Sequence, residues 1–348
     1  MKIAIDISPL SSGHSVRGQG FYLSRLKEAL ETHFTDNTYL FFKGQYPHPA
    51  NFDILHYPYF DPFSLTLPIR KPKKTIVTVH DLIPLIYPEL FPIGMKGRIR
   101  WEIQKYSLQQ CAKIITDSIA SKRDIMRLTG VPEAKISVVY LAAGDEFKIM
   151  HLSSEQKRNI IQKYNLPKKF ALYVGDITAN KNVLRLVKVC KDENIPLVLV
   201  GKALAQTVYD RLHPWNKELV QVQTLIHDTT HIQTLGFVPT EDVVALYNLA
   251  TVFVFPSFYE GFGLPVLEAM QSGCPVITTK GGSLPEVAGE AAYYVDSQSV
   301  ESIRDGIVEM MGNDTLRDDY KKKGIAQAAK FSWKKTAKET LNVYEKIY

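Results

Sequence analysis

Residues 251–290 read TVFVFPSFYEGFGLPVLEAMQSGCPVITTKGGSLPEVAGE, and the parsing of this stretch decides the fold. Thr251 to Phe255 is an apolar run of β-branched and aromatic residues, the pattern of a parallel strand buried on both faces. It stops at Pro256 in a glycine-bearing loop. In open α/β sheets the loops at the carboxyl ends of strands form the ligand crevice, and this loop carries Glu260, Gly261 and Gly263. Pro265 suits the first turn of a helix, because its φ is already helical and its missing donor would be unpaired there anyway. The helix is therefore expected to start near Leu264. Its free N–H groups and positive dipole end favour an anion such as phosphate. Glu268 follows Glu260 by eight positions and is expected in the first helical turn. Carboxylates repel phosphate, so this pair is suited to accepting hydrogen bonds from hydroxyls on either side of it, as in a nucleotide sugar. A helix-stabilising Glu268, a solvated Glu260 and ordinary turn glycines are the competing reading.

Working outward, the chain alternates strand and helix. Strands are expected at residues 2–7, 39–42, 53–56, 75–79, 114–116 and 136–140, then at 170–174, 197–200, 232–235, 251–255 and 275–278. Such alternation predicts an α/β fold of doubly wound parallel sheets. It lapses over residues 144–168, which hold one charged helix between turn signals and read as a linker. Two Rossmann-like domains follow, 1–150 and 151–330, with a helix at about 331–348 returning to the first.

Several loops carry chemistry-bearing residues. After the first strand, Arg17-Gly18-Gln19-Gly20-Phe21-Tyr22 precedes a helix expected from Phe21, an arrangement that suits a phosphate cradle or a plain flexible loop. The strand 75–79 ends in His80-Asp81, placing an imidazole at a crevice edge, where a structural histidine is equally consistent with position alone. Gly175 and the loop DITAN lead to Lys181-Asn182, expected to begin a helix. A lysine there is electrostatically unhelpful unless an anion is bound.

These segments, in this order, resemble family 4 of the retaining glycosyltransferases. The residues that carry the resemblance are E-x7-E within FYEGFGLPVLEAMQSGCPVI, VTVHDLIPLIYPELFP, G-x5-K-N at Gly175 to Asn182, the glycine loop and the terminal FSW. The resemblance covers nearly the whole chain and implies a GT-B fold, with a nucleotide-sugar donor on the second domain and a saccharide or lipid-linked saccharide acceptor on the first. It implies His80, Lys181 and Glu260 as the catalytic set. Gly18, Gly20, Phe237, Val238, Phe262, Gly263, Leu264 and Glu268 become donor contacts, with Phe237 and Val238 at the base, where simple packing would explain them as well. Relatives place an arginine after the glycine or before the lysine. Here those places hold Asp176 and Asn180, leaving one positive charge to be found, with Lys202 or Lys280 as substitutes. No D-x-D motif is present, so neither a metal nor another cofactor is expected. The remaining alternatives are a non-catalytic nucleotide-sugar binder and an epimerase or phosphorylase on the same architecture. A nicotinamide enzyme is disfavoured by the absence of G-x-G-x-x-G after any strand.

Composition bounds the rest. The chain has 348 residues, 45% hydrophobic and 22% charged, ordinary for globular domains. Cys111, Cys190 and Cys274 are widely spaced and expected to be buried free thiols. His213, His227 and His231 lack metal-ligand spacing. The net charge of +6 falls short of a nucleic-acid footprint but suits phosphate-bearing partners. No run reaches the roughly 18–20 apolar residues of a spanning helix, and the N-terminus lacks a secretory signal. Cytoplasmic placement is expected, with the inner face of the membrane as a further option. Two basic segments bear on that option, Arg70 to Lys74 and a helix at Met95 to Gln110 whose apolar residues form no clean stripe. For both, plain solvation and contact with anionic lipid stay open.

Overall fold

The computed structural model describes residues 1–11, 18–205 and 208–348, and the chain divides into two compact units. The first comprises Met1–Pro88, Pro92–Ala142 and Phe331–Tyr348. Its strands are β1 (Lys2–Asp6), β2 (Thr38–Phe42), β3 (Ile54–Tyr57), β4 (Lys74–Thr78), β5 (Lys113–Thr116) and β6 (Ile136–Val138). Its helices are α1 (Gly18–His33), α2 (Ile83–Ile86), α3 (Met95–Gln109), α4 (Ile119–Thr129) and, at the end of the chain, α13 (Trp333–Glu345). The second unit comprises Glu89–Phe91 and Ala143–Lys330. It holds α5 (Ser154–Tyr164), β7 (Ala171–Val174), α6 (Val183–Asp192), β8 (Leu197–Val200), α7 (Lys217–Ile226), β9 (Ile232–Thr234) and α8 (Thr240–Leu249). It continues with β10 (Val252–Phe255), α9 (Leu264–Gln271), β11 (Val276–Thr278), α10 (Leu284–Ala288), β12 (Tyr293–Tyr294), α11 (Val300–Gly312) and α12 (Asp314–Ala328).

Each unit is built on a six-stranded sheet in which every pairing is parallel. The orders are β2-β1-β3-β4-β5-β6 and β12-β11-β10-β7-β8-β9. The second order reverses between β7 and β10, and the loops leaving those two strands are where a doubly wound sheet binds its ligand. The apolar composition of β10 has its consequence here: Val252, Phe253, Val254 and Phe255 are all fully buried. Phe255 stacks on Tyr173 of β7 at 5.9 Å and on Phe253 at 5.7 Å. Burying one such phenyl ring contributes about 1.5–3 kcal/mol, so the strand ends that carry the loops are firmly held.

Three local features depart from the sequence pattern. α1 begins at Gly18 rather than Phe21, so Gly18 and Gly20 lie in its first turn, while Arg17 of the same motif lies outside the described residues. The short edge strand β12 pairs Ile277 with Tyr293 and Thr278 with Tyr294, and two residues are too few to show a periodicity. Lys181 sits in a short 3-10 turn, Ala179–Lys181, and α6 starts only after Asn182, whose φ is +58°. The three cysteines are free and buried. No helix among the described residues is long and apolar enough to cross a membrane.

The terminal helix is tied into the first unit by a buried polar chain. The Tyr344 hydroxyl lies 2.7 Å from His56 Nδ1, His56 Nε2 lies 2.9 Å from Thr78 Oγ1, and Thr78 Oγ1 lies 3.2 Å from the Tyr22 hydroxyl. Burial, with His80 adding to it, pushes the His56 imidazole down to about 3, so His56 is neutral. Every ring nitrogen then depends on a hydroxyl for its hydrogen bond. Tyr344→Phe should leave His56 Nδ1 buried without a partner and destabilise the protein by about 1–3 kcal/mol. An unchanged denaturant midpoint in that variant would show that the chain contributes nothing.

Candidate active site

The switch point of the second sheet is occupied by an ion pair. Lys181, from the loop after β7, places Nζ 2.7 Å from both carboxylate oxygens of Glu260, from the loop after β10. The ammonium also lies 4.9 Å from the centre of the Phe255 ring. Glu260 is only 5% exposed, and a desolvated pair of this kind holds its two loops in one geometry at the expense of two hydration shells.

α6 starts close to where the sequence places it, with Lys181 just before its N-cap, Asn182. The left-handed Asn182 sets Lys181 off from that helix end, which is already partnered: Glu218 accepts a hydrogen bond from Leu184 N at 3.1 Å. Burial raises the Glu218 carboxyl to about 7, with the Leu184 and Val183 amides and Arg185 pulling it back. The open helix end is that of α9. Among the described residues, neither the Gly263 nor the Leu264 N–H has an acceptor within the chain. Gly263 has φ +102°, and a Cβ there would come 2.9 Å from Leu284 Cδ2, so glycine is needed to turn the chain into the helix.

Glu268 is the fifth residue of α9, just past the first turn in which it was expected, and is half-buried. Burial raises its carboxyl to about 7; the Tyr247 hydroxyl, donating at 3.3 Å, pulls it down, and the nearby Glu146 pushes it up. Tyr247 and Glu146 carry no motif and were invisible to the sequence reading. Phe262 is buried, whereas Phe237 is 70% exposed and Val238 buried. The last two lie just beyond β9, two strands from β7, roughly 10 Å across the sheet.

Of the two residues at the places of the expected arginine, Asn180 has a clear role. Asn180 is buried; its Nδ2 donates to Tyr259 O at 3.1 Å and its carbonyl accepts from Phe258 N at 2.7 Å. It is a brace for the Glu260 loop. Asn182 Nδ2 likewise donates to Pro256 O and Ser297 O. From the other side Ser283 Oγ donates to Glu260 O and Phe262 O. At Gly282, where φ is +62°, an added Cβ would lie 2.3 Å from Glu260 O. Asp176 is exposed, as is Lys202. Lys280 is exposed and lines an open cavity of about 520 Å³ with Thr279, Tyr294 and Asp296. A cation the sequence reading missed is Arg185, whose guanidinium lies 5.1 Å from the Phe258 ring and donates to Asn182 Oδ1.

In the first unit, His80 Nδ1 lies 2.7 Å from Asp117 Oδ2, and Tyr22 packs edge-on against the imidazole at 4.7 Å. That contact brings the α1 end bearing Gly18 and Gly20 beside the loop of His80. Burial alone would lower the His80 pKa, but the Asp117 charge and hydrogen bond, then Asp81 and the Pro58 carbonyl, hold it above the ordinary histidine range. Nε2 has no partner. Asp117 was overlooked, although a carboxylate ending β5, the strand beside β4, is a readable signal. Among the described residues no group of three or more His, Cys, Asp or Glu side chains is arranged to hold a metal. His213, His227 and His231 instead make local hydrogen bonds with Trp215 N, Asp228 and Cys190 O.

Comparison with known proteins gives a consistent picture. Residues 156–327 match the family described as glycosyl transferases group 1, and residues 14–143 match Glycosyltransferase Family 4. The O-antigen chain mannosyltransferase B of Escherichia coli is 33% identical over 304 residues, covering 84% of this chain and 75% of that protein. The serotype-specific mannosyltransferase WbdA of Escherichia coli is 28% identical over 284 residues, 80% of this chain and 34% of that much longer protein. Among solved structures, sucrose-phosphate synthase from Thermosynechococcus elongatus superposes with a TM-score of 0.74 at 18% identity, covering 99% of this chain and 98% of that one. Anabaena HepE in complex with UDP and glucose gives 0.71 at 15% identity, covering 99% of each chain. At these identities the structural likeness establishes the fold.

Asn180→Arg, which introduces the charge that the family resemblance leads one to expect, should slow turnover rather than raise it, because it removes the Tyr259 brace. A turnover assay of the variant decides; faster transfer would show that the asparagine is a deficit and not a support.

Proposed function

The chain belongs to the family 4 glycosyltransferases, and on that premise we propose that it transfers a hexose from a nucleotide-diphosphate sugar to a saccharide or lipid-linked saccharide, with retention at the anomeric carbon. The observation that carries the proposal is the open N-terminus of α9 beside the Lys181–Glu260 pair at the β7/β10 switch point. The names of its mannosyltransferase relatives favour mannose as the hexose and polysaccharide biosynthesis as the setting. A GDP-mannose donor is the first to test, ahead of UDP-glucose.

In this reading the diphosphate lies on the Gly263 and Leu264 amides and takes Lys181 as its counter-ion. Glu268 accepts from the ribose hydroxyls, Glu260 from the hexose hydroxyls, and the Gly236–Val238 loop backs the base. Negative charge grows on the departing diphosphate in the transition state, which is where fixed amides and an ammonium act most strongly. Lysine and amides supply this charge, so the reaction needs no metal. Glu260 makes a poor covalent nucleophile, with both oxygens held by Lys181 Nζ. The acceptor hydroxyl therefore attacks on the face the leaving group vacates. The bond from C1 to the phosphate oxygen breaks, the new glycosidic bond forms, and the hydroxyl proton passes to the departing phosphate. Asp117 fixes His80 with Nε2 as the free nitrogen, available to a sugar hydroxyl.

Lys181→Ala and Glu260→Ala should each lower transfer about a hundredfold or more, and EDTA should leave the wild type unchanged. Each single variant also leaves a desolvated partner unmatched. Lys181→Met with Glu260→Gln should therefore unfold later than Lys181→Ala while remaining inactive. Wild-type transfer by any of them would remove the pair from the mechanism.

Glu268 supplies a pH test. Its folded pKa of about 7 lies above the ordinary 4.5, so ionising it opposes folding, and the unliganded protein loses stability as pH rises from the lower value through the higher. Ribose hydroxyls stabilise the carboxylate, so nucleotide binding should tighten as pH rises through 7 and release a proton just below it. Calorimetric titration with GDP in buffers of different ionisation heat measures that release, and Glu268→Gln should abolish it. A wild type that releases none would place the ribose elsewhere.

A further inference from the structure

α3 is held inward by a mixed polar and apolar side and carries a second apolar stripe on its exposed side. Its buried side presents Gln104, Ser107 and Leu108, and the first two are polar groups pinned to the neighbouring loop. Gln104 accepts from Leu67 N and donates to Leu67 O, both at 2.9 Å, and Ser107 Oγ donates to Pro68 O at 2.7 Å. Leu108 and the partly buried Trp101 pack on the core, but a second apolar set points outward: Met95 is 73% exposed, Ile99 57% and Tyr106 54%. At 3.6 residues per turn these three fall within about 40° of one another, a single stripe that also carries Glu102. The loop clamped by Gln104 exposes Leu65 and Ile69, at 64% and 52%. This facing explains why the helix shows no clean apolar stripe when read for a core.

Cations surround the stripe. Lys96, Arg98 and Lys105 lie on the helix, and Arg70 and Lys73 on the adjoining loop. None of these five is ion-paired among the described residues. Apolar side chains that insert at the headgroup boundary, ringed by unpaired lysine and arginine, are the composition of an interfacial helix. A second copy of the chain fits poorly, because a twofold contact would set this cation-ringed patch against itself.

We propose that α3 and the 65–73 loop form a docking surface for an anionic lipid bilayer, with Met95, Ile99 and Tyr106 entering the interface and the flanking cations meeting phosphate headgroups. The proposal is independent of the donor site and is read without an activity assay. The full chain should cosediment with vesicles of phosphatidylcholine and phosphatidylglycerol roughly tenfold or more above phosphatidylcholine alone. Met95→Ser with Ile99→Ser and Tyr106→Ser should lose that binding at an unchanged melting temperature, because these side chains cover no core. Lys96→Glu with Arg98→Glu and Lys105→Glu should lose it as well. All native cysteines are buried, so an environment-sensitive fluorophore on Ile99→Cys reports this site alone; its emission should shift blue with the anionic vesicles, and the same label on the exposed Glu155→Cys should not respond. Equal binding to both vesicle types, absence of binding, or anionic binding that survives both triple variants would overturn the proposal. A concentration-dependent dimer in sedimentation equilibrium that the triple-serine variant abolishes would overturn it in favour of a second copy.

Discussion

The second unit is organised by one electrostatic constraint: a lysine and a glutamate from two loops, both largely removed from water, that satisfy each other. Coulomb attraction at this separation is strong only because the surroundings are poor in water, and the same poverty makes either partner costly alone. The pair therefore does more than close a turn. It commits the loop after β7 and the loop after β10 to a single spacing, and it keeps an ammonium against the loop that leads into α9. An anion arriving there would not need to gather a positive charge from solvent, since one is already held in place by Glu260.

The braces around the pair explain how the loops keep this arrangement. Asn180 and Asn182 grip the backbone of residues 256–259 from one side, and Ser283 grips that of residues 260–262 from the other. Almost all of these bonds end on main-chain atoms, so they fix the path of the chain while leaving the functional side chains untouched. Such preorganisation is what lets fixed dipoles act on charge that appears only in a transition state. It also assigns Glu218 a purpose. By occupying the N-terminus of α6 it removes the competing anion site nearest Lys181, leaving α9 as the end that is open.

How far the sequence could be read depended on whether the signal was local. The strands were legible because a parallel strand buried on both faces has to be an unbroken apolar run, as 197–200 and 251–255 are. Pro265 and Gly263 announced the start of α9 for the same kind of reason: proline fixes a helical φ at its own position and glycine allows a positive φ at its own. Glu260, Lys181 and His80 were found through motif resemblance and through their places at strand ends. The partners of these residues were not found, because partnership is a tertiary fact. Nothing in the sequence says that Glu218 reaches back across 34 residues to Leu184, that Tyr247 bonds Glu268, or that Asp117 faces His80. The pattern of α3 was unreadable for a different reason: periodicity arguments assume one inward apolar face, and there a second set of apolar residues points outward.

Two histidines of the first unit show how little of a residue's chemistry its identity fixes. His56 and His80 both meet the hydroxyl-bearing cluster of Thr78 and Tyr22, one by hydrogen bond and the other by ring contact. His56 has only hydroxyls for partners, and burial keeps it neutral; the charge on His80 pushes in the same direction. His80 suffers the same burial, but a carboxylate stands at its Nδ1 and reverses the outcome. The first histidine is thereby confined to structure, because a neutral imidazole spanning two hydroxyls has no free site. The second keeps Nε2 unspent. An environment that drives like groups apart in protonation is how proteins give like side chains different roles, and in this unit Asp117 sets the two histidines apart.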